Sequence, residues 1–322
     1  MTLPQLTLAP TLVRDEFRAM GTECAVTVAA EPGRTLGARR ALAAARTEVE
    51  ACERALSRFD PTSDLSRLNA GAGRWQRVDE RLAAALTRAL QAREQTGGRF
   101  DPTVLPVLVA AGYDRSFEDL EPREPRAALG WSAGARLDVD IEGKRARVEA
   151  GAAVDLGGIG KGFSADRVLE AIRATWPELS GALVDLGGDI AAGGTPVDGG
   201  HWRIRVADPR GGGSLGELQL GDGGVATSGP TARRFGPGGS LHHLIDPRTA
   251  RPAVDGPLSV TVVARDAATA ECHATALAIE PIEGARSYLG KRVQLAALVV
   301  PPHGRPFATG SLPLVAACAV AA

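Results

Sequence analysis

The chain has 322 residues, 44% hydrophobic and 23% charged, with 37 basic and 38 acidic side chains and a net charge of −1. That balance argues against a general nucleic-acid binder, and an aromatic content of 4% argues against a base-stacking platform. Cys24, Cys52, Cys272 and Cys318 are scattered, with no C-x-x-C pair, and read as small buried residues of a reducing compartment. The start carries Arg14, Asp15, Glu16 and Arg18 with no apolar signal segment, and the run Leu312–Ala322 is too short to span a bilayer. The expectation is a cytoplasmic protein without a membrane span.

Residues 1–16 are set aside as an N-terminal tail, its first ten loose, ahead of one domain over residues 17–322. Leu12 to Ala30 has a strand pattern broken at Met20-Gly21-Thr22, with Ala25 to Val28 alternating. Arg34 to Arg58 has the spacing of a long amphipathic helix, and Asp79 to Thr96 that of a second, which stops at Gly97-Gly98. Each helix is followed by the same pentapeptide, Arg58-Phe59-Asp60-Pro61-Thr62 and Arg99-Phe100-Asp101-Pro102-Thr103. Proline fixes the backbone and aspartate bonds nearby N–H groups, so both copies predict a turn whose phenylalanine can wall a flat ligand. Residues 114–130 read as a surface connection, and Leu137 to Val148 as a hairpin turning at Glu142-Gly143-Lys144.

Asp155 to Asp166, D-L-G-G-I-G-K-G-F-S-A-D, is the stretch around which the chain is organised. Ala152-Ala153-Val154 before it reads as the end of a buried strand, and Phe163 to Trp176 after it as a helix. Glycines there let the backbone approach a ligand, while the helix N-terminus and Lys161 favour an anion. A tight turn with a surface lysine is the plain alternative. Ala182 to Ile190 reads as a buried strand carrying V-D-L-G-G a second time, so the span suggests a βαβ-like crossover that brings Asp155 near Asp185 or Asp189.

Further on, His201 to Leu220 reads as two strands around Gly211-Gly212-Gly213. Val225 to Gly229 and Leu258 to Ala264 read as strands, and Asp266 to Glu280 as a helix. Glu271 and Thr275, four apart, share one face of that helix, and their oxygens suit a hard cation such as Mg²⁺. Two solvated side chains are the plain alternative. His242-His243, just before Asp246-Pro247, offer a general base or a pair of hydrogen-bonded loop histidines. Cys272 and His273 are adjacent on a helix, so their side chains diverge. Gly160-x-Gly162-x-x-Ala165, with Asp185 downstream, also fits a dinucleotide fingerprint, but half the chain precedes it and Asp185 sits inside a strand.

Taken in order, these segments resemble the ApbE-type family of FAD:protein FMN transferases. Carrying the likeness are Met20-Gly21-Thr22, Leu56 to Phe59 with Ser66 to Asn69, Gly98 to Thr103, Asp155 to Phe163, Gly187-Gly188-Asp189, Thr227-Ser228-Gly229, His243 to Thr249, and Ala270-Glu271 to Thr275-Ala276. The resemblance implies an α+β, two-lobed fold of mixed sheets and helices with a flavin site between lobes. It implies Mg²⁺-dependent transfer of the FMN half of FAD to a Ser or Thr of an acceptor protein, releasing AMP. FAD pyrophosphatase activity, or flavin holding alone, is the alternative.

By the same resemblance, Met20, Phe59, Arg99, Phe100, Asp101, Asp155 and Lys161 contact FAD, as does the Leu244–Ile245 backbone. The metal falls to the Gly158 carbonyl and the side chains of Glu271 and Thr275, and His243 is the base for the acceptor hydroxyl. Lys161 joins it in catalysis by neutralising phosphate charge. The chain departs from the family at several of these positions. Glu271 stands where Asp is usual, moving the carboxylate by ~1.5 Å, Gly158 where Ala is usual, Arg99 where a small residue is usual, and Phe59 where Tyr is frequent.

Overall fold

A computed structural model of the chain describes residues 11–316 apart from 32, 122, 232 and 293. The first ten residues, read above as a loose tail, and Cys318 fall outside the described residues. β1 (Thr11–Ala19) and β2 (Thr22–Ala30) form a hairpin, so residues 11–16, grouped above with the tail, are strand. The chain reverses at Met20 and Gly21, at φ 51° and 67°, which suits the right-handed twist of the flanking strands. β2 is buried without alternation from Cys24 to Ala30, because both faces of its sheet are covered.

α1 (Thr35–Leu56) buries Ala38, Ala41, Leu42, Ala45, Val49 and Cys52, a stripe at helical spacing. α2 (Asp64–Ala70) is capped by Ser63, whose hydroxyl accepts from the Ser66 N–H. β3 (Gln76–Arg77) leads into α3 (Glu80–Gln95), capped by Asp79. α4 (Leu105–Ala111) has proline in its first turn and ends at Gly112, φ 113°. β4 (Leu137–Asp140) and β5 (Arg145–Val148) form the expected hairpin and join β3 in a three-stranded sheet.

The glycine stretch corrects two expectations. No strand precedes it: the backbone N–H and C=O of Val154 are both taken by the Asn69 side-chain amide, at 2.7 and 2.9 Å, which occupies the place of a neighbouring strand. Nor does a crossover follow. α5 (Gly160–Thr175) leads to β6 (Gly181–Leu186), and the second V-D-L-G-G closes a hairpin onto β7 (Ile190–Gly194) instead of continuing one strand. Gly187 and Gly188, at φ 71° and 92°, supply the two left-handed residues that this turn needs.

Then come β8 (Trp202–Ala207), β9 (Ser214–Leu220), β10 (Gly223–Ser228), the short pairs β11 (Arg234–Phe235) with β12 (Leu241–His242) and β13 (Ile245–Asp246) with β14 (Arg251–Pro252), and β15 (Ser259–Ala264). α6 (Ala267–Ala278), α7 (Ile282–Gly290), β16 (Ala296–Val300), β17 (Phe307–Thr309) and β18 (Leu314–Ala316) complete the chain. The main sheet has eight strands in the order β1-β2-β6-β7-β10-β15-β16-β17, and every strand pair among the described residues is antiparallel. The dinucleotide reading therefore fails: among the described residues no parallel βαβ unit exists, and Gly160 to Ala165 lie inside α5.

α1 and α5 cover the β2–β6 part of the main sheet, around Val26, Val28, Val184 and Leu186, and α6 and α7 cover β10, β15 and β16. The sheet β18-β9-β8 covers the opposite face. A separate helical lobe centres on Leu65, Leu68, Leu82 and Leu86, where burying each leucine contributes about 2 kcal/mol. Its core takes in Leu156, Ile159 and Phe163 of the glycine stretch and Cys272 of α6. The α+β, two-lobed architecture is as expected, and the glycine stretch is where the lobes meet. Among the described residues no helix is long and apolar enough to cross a membrane.

Candidate functional site

The site forms where the start of α5 packs against the start of α6. A Cβ on Gly162 would lie 2.4 Å from the Ala267 carbonyl oxygen, so this glycine serves helix contact and not a ligand. Asp166, one turn on, accepts from the N–H groups of Ala267 and Ala268, both at 2.9 Å, and so caps α6 from a neighbouring helix. Burial pushes its carboxyl up to about 7 against those two hydrogen bonds. The clamp sets Glu271 beside α5, where its Oε2 accepts from the Gly162 N–H at 2.7 Å.

Lys161 projects from the same first turn. It pairs with Asp189, at the end of the β6–β7 turn, and lies 3.8 Å from Glu271 Oε1. The sequence thus places a V-D-L-G-G turn at this pocket, although through a hairpin. Burial lowers the proton affinity of Lys161 while the Glu271 carboxylate opposes that. Burial raises Glu271 while Lys161 and the Gly162 amide oppose that. A carboxylate so buried gains from a cation beside it.

Gly158 and Thr275 touch across this cluster: a Cβ on Gly158 would sit 3.1 Å from Thr275 Oγ1. Thr47, Thr87, Thr96 and Thr175 each donate the hydroxyl to the carbonyl four residues back, whereas among the described residues Thr275 makes no such bond. Gly162 gives its N–H to Glu271 and so does not occupy the Gly158 carbonyl. A carbonyl, a hydroxyl and one carboxylate are hard oxygen donors, so these residues fit Mg²⁺. Among the described residues no three His, Cys, Asp or Glu side chains converge as a ready-made metal cage.

At the other end of the glycine stretch, Asp155 pairs with Arg58 at 2.7 Å, both largely buried. The Arg58 guanidinium lies 4.1 Å from the Phe59 ring centroid and 4.5 Å from that of Tyr113, and donates to the Tyr113 carbonyl. Phe59 is 44% exposed and free to wall a ligand. Phe100 is not: it is buried in the core, with its ring edge against Gly158. Asp101 is also buried and accepts from Thr103 and from the Gly134 N–H. Met20 gives its N–H to Glu53 at 2.8 Å and packs at the seam between the two cores. Arg99 pairs with Glu280 at 2.9 Å, and Glu280 also binds Arg248 at 2.6 Å.

His243 sits on the third side. Burial, and then the Arg233 charge, hold its imidazole down to about 3, and its Nδ1 is buried without a partner. Its neighbour His242 is structural: the ring nitrogens meet the Ala253 carbonyl oxygen at 2.9 Å and the Leu244 N–H at 3.3 Å. The side chains of Leu244 and Ile245 are buried, leaving their backbone as what they can present. His273 turns away to the Tyr288 hydroxyl at 2.5 Å, and burial pushes the Cys272 thiol up to about 12, so neither serves as a nucleophile. Sequence reasoning missed Arg58 as the Asp155 partner, Tyr113, Asp166 and Glu280. Each acts through a residue 12 or more positions away in sequence, and spacing does not report such pairs.

Comparison with known proteins identifies the family. The sequence profile of the ApbE family matches residues 20–299. A FAD:protein FMN transferase of Treponema pallidum is 32% identical over 93% of this chain and 88% of its own. One of Escherichia coli is 26% identical over 83% and 78%. The crystal structure of an ApbE protein from Thermotoga maritima superposes with a TM-score of 0.79 at 28% identity, covering 92% of this chain and 96% of that one. With the profile spanning both lobes and the whole site, the chain belongs to the ApbE family.

Proposed function

We propose that the protein is a FAD:protein FMN transferase that moves the FMN moiety of FAD onto a Ser or Thr hydroxyl of an acceptor protein and releases AMP. The observation that carries this reading is the convergence of Lys161, Glu271, Thr275 and Gly158 at the start of α5, with Asp155 between them and the Arg58–Phe59–Tyr113 stack. Such a site handles a ring at one end and phosphate charge at the other. The relatives' shared name and the family membership point the same way.

In the reaction, the acceptor oxygen bonds to the FMN phosphorus and the bond from that phosphorus to the AMP phosphate oxygen breaks. His243 takes the hydroxyl proton. Burial keeps its imidazole neutral and ready to accept, and the negative charge of bound phosphate would raise its proton affinity toward the working range. Lys161 supplies fixed positive charge for the phosphate oxygens. Glu271, Thr275 and the Gly158 carbonyl would hold Mg²⁺, whose chemistry here is charge neutralisation at the diphosphate. Asp166 and Gly162 fix the helix starts that aim these groups.

One observation favours a second reading, a flavin-holding protein: Glu271 is already engaged by the Gly162 amide and lies near Lys161. Incubating the protein with FAD, Mg²⁺ and a Ser/Thr peptide separates the two. AMP release with an FMN-sized mass gain on the peptide is the expected result. AMP with free FMN would indicate a pyrophosphatase, and bound FAD without AMP the holding protein. Cytoplasmic placement is part of the proposal and rests on buried, free Cys24, Cys52 and Cys272.

A further inference from the structure

Four arginines stand around this site. Arg58 is paired with Asp155, Arg99 with Glu280, and Arg248 with both Asp246 and Glu280. Among the described residues the fourth, Arg233, has no carboxylate partner. It is partly buried and directly precedes β11, whose register against β12 sets Arg234 opposite His242. Arg233 and His243 are the next residues beyond that end of the pair, one on each side. The Arg233 charge lowers the proton affinity of His243, Lys161 and Glu271 alike, so all three lie within its electrostatic reach. Lys161 shares its charge with Asp189 and Glu271, whereas among the described residues no carboxylate shares that of Arg233.

We infer that Arg233 is a substrate-binding residue for the phosphates of the dinucleotide, held across the β11–β12 pair from His243. A guanidinium there grips phosphate oxygens with two parallel N–H donors and presents the phosphorus to the base on the facing strand. The inference rests on the transferase reading for the identity of the ligand, and the chain's own geometry supplies the residue.

The test is equilibrium binding of FAD and of riboflavin, which shares the ring and lacks phosphate, to wild-type protein, Arg233→Ala and Arg233→Lys, with ADP as competitor. In Arg233→Ala, FAD binding should weaken about ten- to a hundredfold, the range of one charge-assisted hydrogen-bond pair. Riboflavin binding should stay unchanged, and ADP should lose its ability to compete. Arg233→Lys should recover part of the FAD affinity, since it keeps the charge and loses the fork. Equal weakening of FAD and riboflavin would show a merely structural arginine and overturn the inference. So would an Arg233→Ala protein that keeps the full wild-type preference for FAD over riboflavin. A wild-type protein that does not bind FAD would overturn the transferase reading and this inference together.

Discussion

The pentapeptide Arg-Phe-Asp-Pro-Thr occurs twice, and its two copies have opposite fates. In both, the aspartate accepts from the threonine N–H at 2.8 Å and from its hydroxyl at 2.7 Å, so the same five residues build the same turn. All else differs. Phe59 is exposed and Phe100 is buried at 4% exposure. Arg58 lies inside an aromatic stack with Asp155, while Arg99 is half-buried against Glu280. Asp60 serves its own turn, while Asp101 also holds the Gly134 N–H at 2.6 Å. Local sequence decides the turn, and the packing around it decides whether its phenylalanine is left exposed or enters the core.

The two phenylalanines give the largest separation. Phe100→Ala should cost about 3–5 kcal/mol, by the rule for emptying a packed aromatic site, seen as a lower urea midpoint. Phe59→Ala should leave that midpoint nearly unchanged and weaken FAD binding by about 1 kcal/mol, some fivefold, as loss of a stacking face does. Equal stability losses would erase the distinction between wall and core. The arginines come next. Arg58→Met strands Asp155 in a largely buried place and should cost about 2–4 kcal/mol. Arg99→Met should cost about 1 kcal/mol, because Glu280 keeps Arg248. Chemical denaturation of both variants measures the difference, and an Arg99 variant as damaged as the Arg58 variant would refute it.

The same contrast shows what was legible in the chain. Helical spacing in α1, α3, α5 and α6 and the turn of the β4–β5 hairpin at Glu142-Gly143-Lys144 were readable, because each element's own residues carry its signal. The seven-residue α2 and α4 were not, since two turns give too few repeats to show one. The strand expected before the glycine stretch was wrong because Asn69, 85 residues earlier, supplies the hydrogen bonds that a strand would. At the candidate site, spacing put Glu271 and Thr275 on one helix face, and only the family resemblance singled them out from two ordinary surface side chains. The Arg99–Glu280 pair spans 181 positions and belongs to the packing of two lobes, which no local pattern encodes.

The aspartates sharpen the comparison at its smallest scale. Asp101→Asn keeps the side chain's shape, yet turns one acceptor into a donor among N–H groups in a buried place. A cost of about 1–3 kcal/mol follows from leaving such a group unmatched. Asp60→Asn, at a partly exposed surface turn, should change the urea midpoint less than any variant above. Its effect should be confined by pH. The Thr62 hydroxyl and N–H hold the Asp60 carboxyl below its ordinary range, so the folded state releases this proton more readily than the unfolded one. The stability that Asp60 contributes is therefore present in full above the ordinary aspartate range and is lost as pH falls through the lowered folded value. Urea midpoints of wild type and Asp60→Asn should differ slightly at pH 6 and converge toward pH 2. A difference that persists unchanged at pH 2 would mean that it does not come from the ionised carboxylate, and that the charge of Asp60 contributes nothing to this turn.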